Sequence, residues 1–314
     1  MTPAIELESL HKRFGRHTAV HDLTLSVAPG TVFGLIGPNG AGKTTTLRML
    51  LDIIRPTSGT ARVLGEDPRT GGPALRRRIG FVPGELRMEG RVTGRALLDF
   101  YASVSGSVAP GRVDALAERL GCDLTRPVRT LSKGNKQKVG LIQAFMHEPP
   151  LLVLDEPTSG LDPLVQREFL SLVREARDNG QTVLLSSHVL SEIQQTADDV
   201  AVLSAGSIVA RGAVADLRLG AVRRVRAVLT DADAEHVARD LAPLSPSHPV
   251  DVRTHDDRVI AHATIEGDID PLVKLLARFH VAELVIEEPD LEESVLRLYG
   301  EDGGRAATRP NGGN

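Results

Sequence analysis

The stretch that decides the fold is Gly37-Pro38-Asn39-Gly40-Ala41-Gly42-Lys43-Thr44. It matches the phosphate-binding pattern G-x-x-x-x-G-K-[ST] at every fixed position. The apolar run 32–36 before it is typical of a buried parallel strand, and the residues from Thr45 onward are typical of a helix. Because strand, glycine loop and helix are the context that the motif needs, the sequence predicts an α/β P-loop fold that binds a nucleoside triphosphate.

The chemistry of phosphate binding explains the residue types in this loop. Glycines let the backbone curl around an anion, and successive N–H groups then point at the phosphate oxygens. The N-terminus of the following helix adds a partial positive charge. Lys43 is long enough to reach the β- and γ-phosphates, the Thr44 hydroxyl can ligate Mg²⁺, and Thr45 is a further candidate for phosphate contact.

Composition narrows the class of protein. The chain has 314 residues, of which 41% are hydrophobic and 25% charged, as in a globular protein of one large or two ordinary domains. A net charge of −4 provides no positive field for nucleic acid, so we expect no direct nucleic-acid partner. Cys122 is the single cysteine, which excludes an intrachain disulfide. The sequence has no apolar run of the ~18 residues that span a bilayer and no signal-like N-terminus, so we expect a cytoplasmic location.

The pattern along the chain predicts two domains. Residues 1–219 alternate strand-like and helix-like segments around a largely parallel sheet, with a helical subdomain at about 86–148. Residues 220–300 follow the order β-α-β-β-α-β with a final helix over 291–298, which permits a small α+β domain of ferredoxin-like type. The tail 301–314 has no apolar periodicity, so we expect it to be disordered.

Five further segments of the first domain resemble the ATP-binding cassette (ABC) ATPases. One is similar to the LSGGQ signature of that family, one to its Walker B strand, and one to its D-loop. Two single residues stand where the family has its switch histidine and the aromatic that stacks on adenine. The segment similar to the signature is Leu131-Ser132-Lys133-Gly134-Asn135-Lys136-Gln137, the one similar to the Walker B strand is Leu151-Leu152-Val153-Leu154-Asp155-Glu156, and the one similar to the D-loop is Ser159-Gly160-Leu161-Asp162. His188 stands at the position of the switch histidine, and Phe14 at that of the aromatic residue.

The resemblance extends to the stand-alone ATPase subunits of ABC-2-type exporters, including the daunorubicin-resistance and multidrug type. The segments 55–59 and 131–135, and the C-terminal segment 288–296, are typical of that branch. This resemblance implies a cytoplasmic ATPase, peripheral on the inner face of the membrane, that hydrolyses ATP with Mg²⁺ and powers export through a separate permease. It also implies a homodimer or heterodimer of ATPase subunits. Membrane contact would come through the permease.

The same resemblance assigns a role to each site residue. Asp155 would hold Mg²⁺ together with Thr44, Glu156 would be the general base, and His188 would hold the attacking water. We expect Asp155 and Glu156 to point to different sides, since side chains alternate in an extended segment. Ser132 and Gly134 would bind the γ-phosphate of ATP held by the opposite subunit, Asp162 would belong to the same interface, and Phe14 would stack on adenine. The remaining histidines, such as His17, are interpreted as surface or turn residues.

The sequence departs from the family pattern at two places. Gly84 stands where the family carries the Q-loop glutamine, and Glu85 follows it. Glu85 could reach Mg²⁺ or water as a shifted carboxylate, but a carboxylate cannot donate the hydrogen bond of an amide. In the signature, Lys133 replaces a glycine and Asn135 a glutamine, whereas Ser132 and Gly134 are retained.

Two other functions stay open from the sequence. One is a non-transport ABC ATPase that acts on nucleic acid or ribosomes, although such proteins usually carry tandem cassettes or a zinc insertion and this chain has one cassette. The other concerns only the C-terminal domain, which would act as a regulatory sensor or as a clamp of the dimer. The sequence carries little information about the cargo.

Overall fold

The computed structural model describes residues 2–214, 222–246, 248–256, 258–266 and 268–287. The chain divides into two compact units, with the division at Val214. The predicted boundary at 219/220, the predicted helix over 291–298 and the predicted disordered tail 301–314 lie outside the described residues. In the described part of the chain, no helix is both long enough and apolar enough to cross a membrane.

The first unit contains two sheets and a group of helices. Its strands are β1 (Ile5–Phe14), β2 (His17–Val27), β3 (Val32–Ile36), β4 (Ser58–Val63), β5 (Ile79–Val82), β6 (Leu151–Asp155), β7 (Thr182–Ser187), β8 (Asp199–Ser204) and β9 (Ser207–Ala213). Its helices are α1 (Lys43–Leu50), α2 (Pro68–Arg76), α3 (Gly94–Ser105), α4 (Arg112–Arg119), α5 (Lys133–Phe145), α6 (Pro163–Asp178) and α7 (Leu190–Thr196), with a 3-10 turn at Val128–Thr130.

The larger sheet has six strands in the order β5-β6-β7-β3-β8-β9. Its pairs are parallel except for β8 with β9, so the predicted parallel core is present with one antiparallel edge strand. Strands β3 and β6 are buried along their whole length, as expected for strands covered on both faces. A second sheet, β2-β1-β4, is antiparallel, and the sequence pattern does not separate it from the first.

The core of this unit lies between the two sheets and around α1. Side chains from both sheets meet there, including Ile5, Leu25, Phe33, Leu47 and Val153. Helices α3, α4 and α5 lie in the chain between β5 and β6. Because β3, β6 and β7 are adjacent and parallel, their carboxyl ends meet at one edge of the sheet, where α/β proteins bind ligands.

The second unit is a four-stranded antiparallel sheet with two helices. Its elements are β10 (Val222–Thr230), α8 (Ala234–Leu241), a 3-10 turn (Ala242–Leu244), β11 (Asp251–His255), β12 (Arg258–Glu266), α9 (Asp270–Leu276) and β13 (His280–Glu287). The strand order is β11-β12-β10-β13, and alternate residues of β10 and β12 pack on Val237, Leu241 and Leu272 of the helices. The β-α-β-β-α-β order is the one that defines the ferredoxin-like motif.

Candidate functional site

The loop between β3 and α1 is shaped by close approach of the backbone. Gly42 has a φ of +105°, and a Cβ there would lie 2.6 Å from the Ala19 carbonyl oxygen. At Gly37 a Cβ would lie 2.3 Å from the Leu203 carbonyl oxygen. Both distances are shorter than any real contact, so these two positions exclude side chains. The glycines of the motif are therefore also required because the loop packs closely against β2 and β8.

The loop borders a cavity of about 280 Å³. Eight of its lining residues belong to the loop and the start of α1, and two more are Phe14 and Glu156, predicted for adenine stacking and for general-base catalysis. The other two are His17 and Ala19. The full lining is Phe14, His17, Ala19, Pro38, Asn39, Gly40, Ala41, Gly42, Lys43, Thr44, Thr45 and Glu156. The Phe14 ring is half exposed, and the Lys12 ammonium lies 4.8 Å from its centroid, which is a cation–π contact.

Lys43, Glu156 and His188 meet in space from three separate segments. The buried Lys43 ammonium donates to the Gly37 carbonyl at 2.5 Å and lies 3.4 Å from Oε1 of Glu156. The other carboxylate oxygen of Glu156, Oε2, lies 2.5 Å from Nδ1 of His188. The carboxylate thus contacts the phosphate-loop cation on one side and an exposed imidazole on the other, which is a suitable arrangement for a group that takes a proton from water.

Asp155 and Glu156 have different side-chain partners, and the backbone between them is not the extended one expected from the sequence. Strand β6 ends at Asp155, and Glu156 adopts a left-handed φ of +47°, so the two do not share an extended segment. The N–H of Glu156 donates to Ser186 at both the carbonyl oxygen (3.1 Å) and Oγ (3.2 Å). A non-glycine residue in this conformation is strained, and such strain is typically held in place at functional sites.

The buried carboxylate of Asp155 accepts a 2.6 Å hydrogen bond from Oγ of Ser186. Together with the Thr44 hydroxyl, it offers oxygen ligands of the kind that Mg²⁺ prefers. No group of three or more His, Cys, Asp or Glu side chains with metal-binding geometry occurs among the described residues.

Glu85 does not lie in this cavity. Its side chain is 71% exposed, pairs with Arg87 at 3.1 Å and lines a different cavity. Gly84 is the residue beside the site, because a Cβ there would lie 3.1 Å from Oδ2 of Asp155. A side chain at residue 84 would therefore require the Asp155 carboxylate to give by a few tenths of an ångström.

The signature segment lies outside the phosphate cavity of its own chain. Ser132 caps α5 by accepting from the Asn135 N–H at 3.3 Å. A Cβ on Gly134 would lie 2.5 Å from the Gly160 carbonyl oxygen, and the Lys133 ammonium donates to Oγ of Ser159 at 2.8 Å. The start of α5 is therefore packed directly on the loop that follows Glu156.

Asp162, predicted as an interface residue for ATP, has a structural contact in this chain. Its Oδ1 accepts from the N–H groups of Leu164 (3.1 Å) and Val165 (3.0 Å) and so caps α6. The predicted site residues therefore form two groups. The phosphate loop, Phe14 and Glu156 line one cavity, His188 contacts Glu156, and Asp155 lies at the end of β6. Ser132, Gly134 and Asp162 mark a second surface at the starts of α5 and α6.

Sequence reasoning misses three contributors. His17 lines the cavity, although its sequence context indicates a surface or turn residue. Ser186 fixes both Asp155 and the Glu156 backbone. Glu192 is buried beside the His188 loop. A polar pair at the end of an apolar strand, as at Ser186 and Ser187, is the one signal that could have indicated such a role.

Comparison with known proteins agrees with this geometry. The ABC transporter family description matches residues 20–159. The daunorubicin resistance ATP-binding protein DrrA3 of Streptomyces coeruleorubidus is 34% identical over 310 residues, which cover 95% of this chain and 96% of that protein.

The chain belongs to the ABC transporter ATPase family.

Other relatives and solved structures agree. The bacitracin transport ATP-binding protein BcrA of Bacillus licheniformis is 32% identical, with 96% of this chain and 98% of that protein covered. A solved ATP-binding subunit of an ABC transporter superposes with a TM-score of 0.64 at 29% identity, covering 68% of this chain and 92% of that chain. A dimeric post-hydrolysis cassette with ADP and Pi shares the fold at 20% identity, with a TM-score of 0.61 and 67% and 98% coverage. This ABC ATPase binds and hydrolyses ATP as a transporter subunit.

Proposed function

We propose that this ABC ATPase powers export of drug-like molecules through a separate ABC-2-type permease, as a peripheral subunit on the cytoplasmic face of the membrane. Two observations support the proposal. The Glu156 carboxylate lies between Lys43 and His188 beside the phosphate loop. Relatives that match nearly the whole chain are ATP-binding proteins for daunorubicin resistance and bacitracin transport.

We propose the following division of labour at the site. The loop N–H groups and Lys43 bind the β- and γ-phosphates, and the Phe14 ring stacks on adenine. Thr44 and Asp155 hold Mg²⁺, which neutralises phosphate charge when bound. Glu156 takes the proton of the attacking water, and His188, whose ring contacts the Glu156 carboxylate, holds that water in place. The strained backbone at Glu156 keeps that carboxylate aimed into the cavity without reorganisation.

The second surface supports a head-to-tail dimer, either a homodimer or a heterodimer. Ser132 and Gly134 stand at a helix N-terminus, which favours an anion, yet they lie outside the cavity of their own chain. We propose that they bind the γ-phosphate held by the opposite subunit. Glu156→Gln with saturating ATP should then elute as a dimer on size exclusion, and a persistent monomer would contradict this arrangement.

A second cavity supports the permease contact. It measures about 920 Å³ and lies between α1, α2, α3 and the segment 83–88. Ile53 (54% exposed) lines it, Phe100 (60% exposed) contacts the lining residue Tyr101, and Arg48, Arg76 and Arg77 add positive charge. We propose that the permease docks here. Phe100→Asp should abolish copurification with the permease while leaving the hydrolysis rate of the isolated ATPase unchanged.

The deciding experiment measures Mg-dependent phosphate release, with and without the permease. Glu156→Gln should slow hydrolysis by about 10²- to 10⁴-fold, the usual contribution of a general base. Glu89→Gln changes an exposed carboxylate and serves as the matched control. If Glu156→Gln hydrolyses ATP at the wild-type rate, Glu156 is not the base. We propose that the second unit is a ferredoxin-like accessory domain, which acts as a regulatory sensor or as a clamp of the dimer. This experiment does not test its role.

A further inference from the structure

One buried carboxyl group of the first unit has no part in the mechanism above. Glu192 lies on α7, four residues after His188, and is only 6% exposed. It does not line the phosphate cavity. Carboxyl groups are rarely buried to this extent unless they are paired or hydrogen-bonded.

One partner of Glu192 is the last residue of β7, and the other lies in the loop after β6. Oγ of Ser187 donates to Oε2 of Glu192 at 2.9 Å, and the Thr158 hydroxyl lies close enough to the same carboxylate to lower its pKa. Both hydroxyl residues are buried, Ser187 completely and Thr158 to 5% exposure. Ser187 immediately precedes His188, and Thr158 follows Glu156 by two residues. One carboxylate therefore joins the strand end before the imidazole to the loop that carries the general base.

This link lies at the end of β6 and β7. The two strands are paired up to Asp155 and Ser186, the Glu156 N–H still donates to the Ser186 carbonyl oxygen, and Ser187 is paired with Ile36 of β3. Residue 158 and His188 lie beyond these strand ends, and His188 Nδ1 lies 2.5 Å from Glu156 Oε2. The buried Glu192 contacts residues on both sides of this junction.

Burying the charged form of Glu192 has an energetic cost. Burial raises the pKa of Glu192, the hydroxyls of Thr158 and Ser187 lower it in part, and the nearby charge of Glu156 raises it further. A carboxyl group that is costly to bury and lies beside reacting groups is typical of functional sites.

We propose that Glu192 is a positioning residue for ATP hydrolysis, which holds the Thr158 loop against the end of β7 in the register that keeps His188 against Glu156. The proposal rests on the proposed function, because its effect is on the hydrolytic step. Glu192 does not touch the phosphate loop, so its loss should change kcat and leave nucleotide binding intact.

The kinetic test compares Glu192→Ala, Glu192→Gln and the control Gln195→Ala, which alters an exposed residue of the same helix. Glu192→Ala should lower kcat by about 10- to 100-fold, the range for a misplaced reacting group, with KM for ATP unchanged. Glu192→Gln should stay within about threefold of the wild type, since its amide can still accept from one hydroxyl and donate to the other. An alanine variant at the wild-type rate, or a glutamine variant as slow as alanine, would overturn the proposal.

A double-mutant cycle separates positioning from general damage. If Glu192 acts through Thr158, Thr158→Val should add no further loss of kcat to Glu192→Ala. Losses that multiply would show that the two residues act independently and would contradict the proposal.

Hydrogen–deuterium exchange provides a readout that does not need hydrolysis. In Glu192→Ala, amides of both segments, 156–161 and 186–189, should exchange faster, whereas Gln195→Ala should match the wild type. Faster exchange confined to α7 would overturn the proposal. A wild-type protein that fails to hydrolyse ATP would refute the proposed function instead, and the exchange result would still decide the role of Glu192.

Discussion

The contact between the signature segment and the loop after Glu156 can be tested with a single methyl group. In Gly134→Ala, the new Cβ would lie 2.5 Å from the Gly160 carbonyl oxygen, whereas ordinary contact begins at 3.4 Å. The backbone must therefore separate by about 0.9 Å, the difference between these distances. The opposing atom is main chain, so no flexible side chain can move aside.

Two effects of this substitution oppose each other. Alanine in a helix is favoured over glycine by about 0.5–1 kcal/mol. Overpacking a close contact costs about 1–3 kcal/mol, so we expect a net loss of stability. For a unit of this size, each kcal/mol corresponds to a fall in Tm of roughly 2–4 °C.

The measurement is thermal and urea unfolding of the full chain, with Gly212→Ala as the matched control. Gly212 lies in β9 and has no left-handed φ, and no atom lies within 4 Å of the place that an alanine methyl group would take there. Its variant should therefore be neutral or slightly more stable. A Gly134→Ala protein that is more stable than the wild type would refute the argument, because helix propensity would then outweigh the contact with Gly160.

Three further predictions concern separate parts of the first unit. Arg119→Met should lose about 1 kcal/mol in urea unfolding, and less at high salt, because the partly exposed guanidinium of Arg119 pairs with Glu168 and bidentately with Glu175. Burial lowers the pKa of His147 in the folded protein. As the pH falls, this imidazole is therefore protonated in the unfolded chain before it is protonated in the folded one. Stability should fall as pH drops below about 6.5, by at most about 1.4 kcal/mol per pH unit from this group, and His147→Leu should lessen that slope in acid titrations of unfolding. Phe14→Ala should weaken ATP binding in equilibrium titrations by about 1–2 kcal/mol, whereas Phe14→Tyr should bind as the wild type does, and equal losses in both would exclude stacking.

The sequence by itself determined the features that contiguous residues encode. The phosphate loop, its flanking strand and helix, the buried strand ending at Asp155 and the α/β class follow from residue type and spacing along one short stretch at a time. For such features the chemistry is local, because the loop N–H groups, Lys43 and Thr44 are covalently close and the hydrophobic pattern fixes which elements flank them.

Only the tertiary structure decided which distant segments touch. In the structure Glu85 lies outside the site and the Gly84 backbone lies against Asp155. Glu156 has a left-handed backbone conformation, and Glu192 is buried beside the end of β7. None of these follows from spacing, because each depends on approaches of a few ångströms between segments far apart in the chain. Such contacts are set by how the sheet brings strand ends together and by close packing around them, which one-dimensional patterns do not specify.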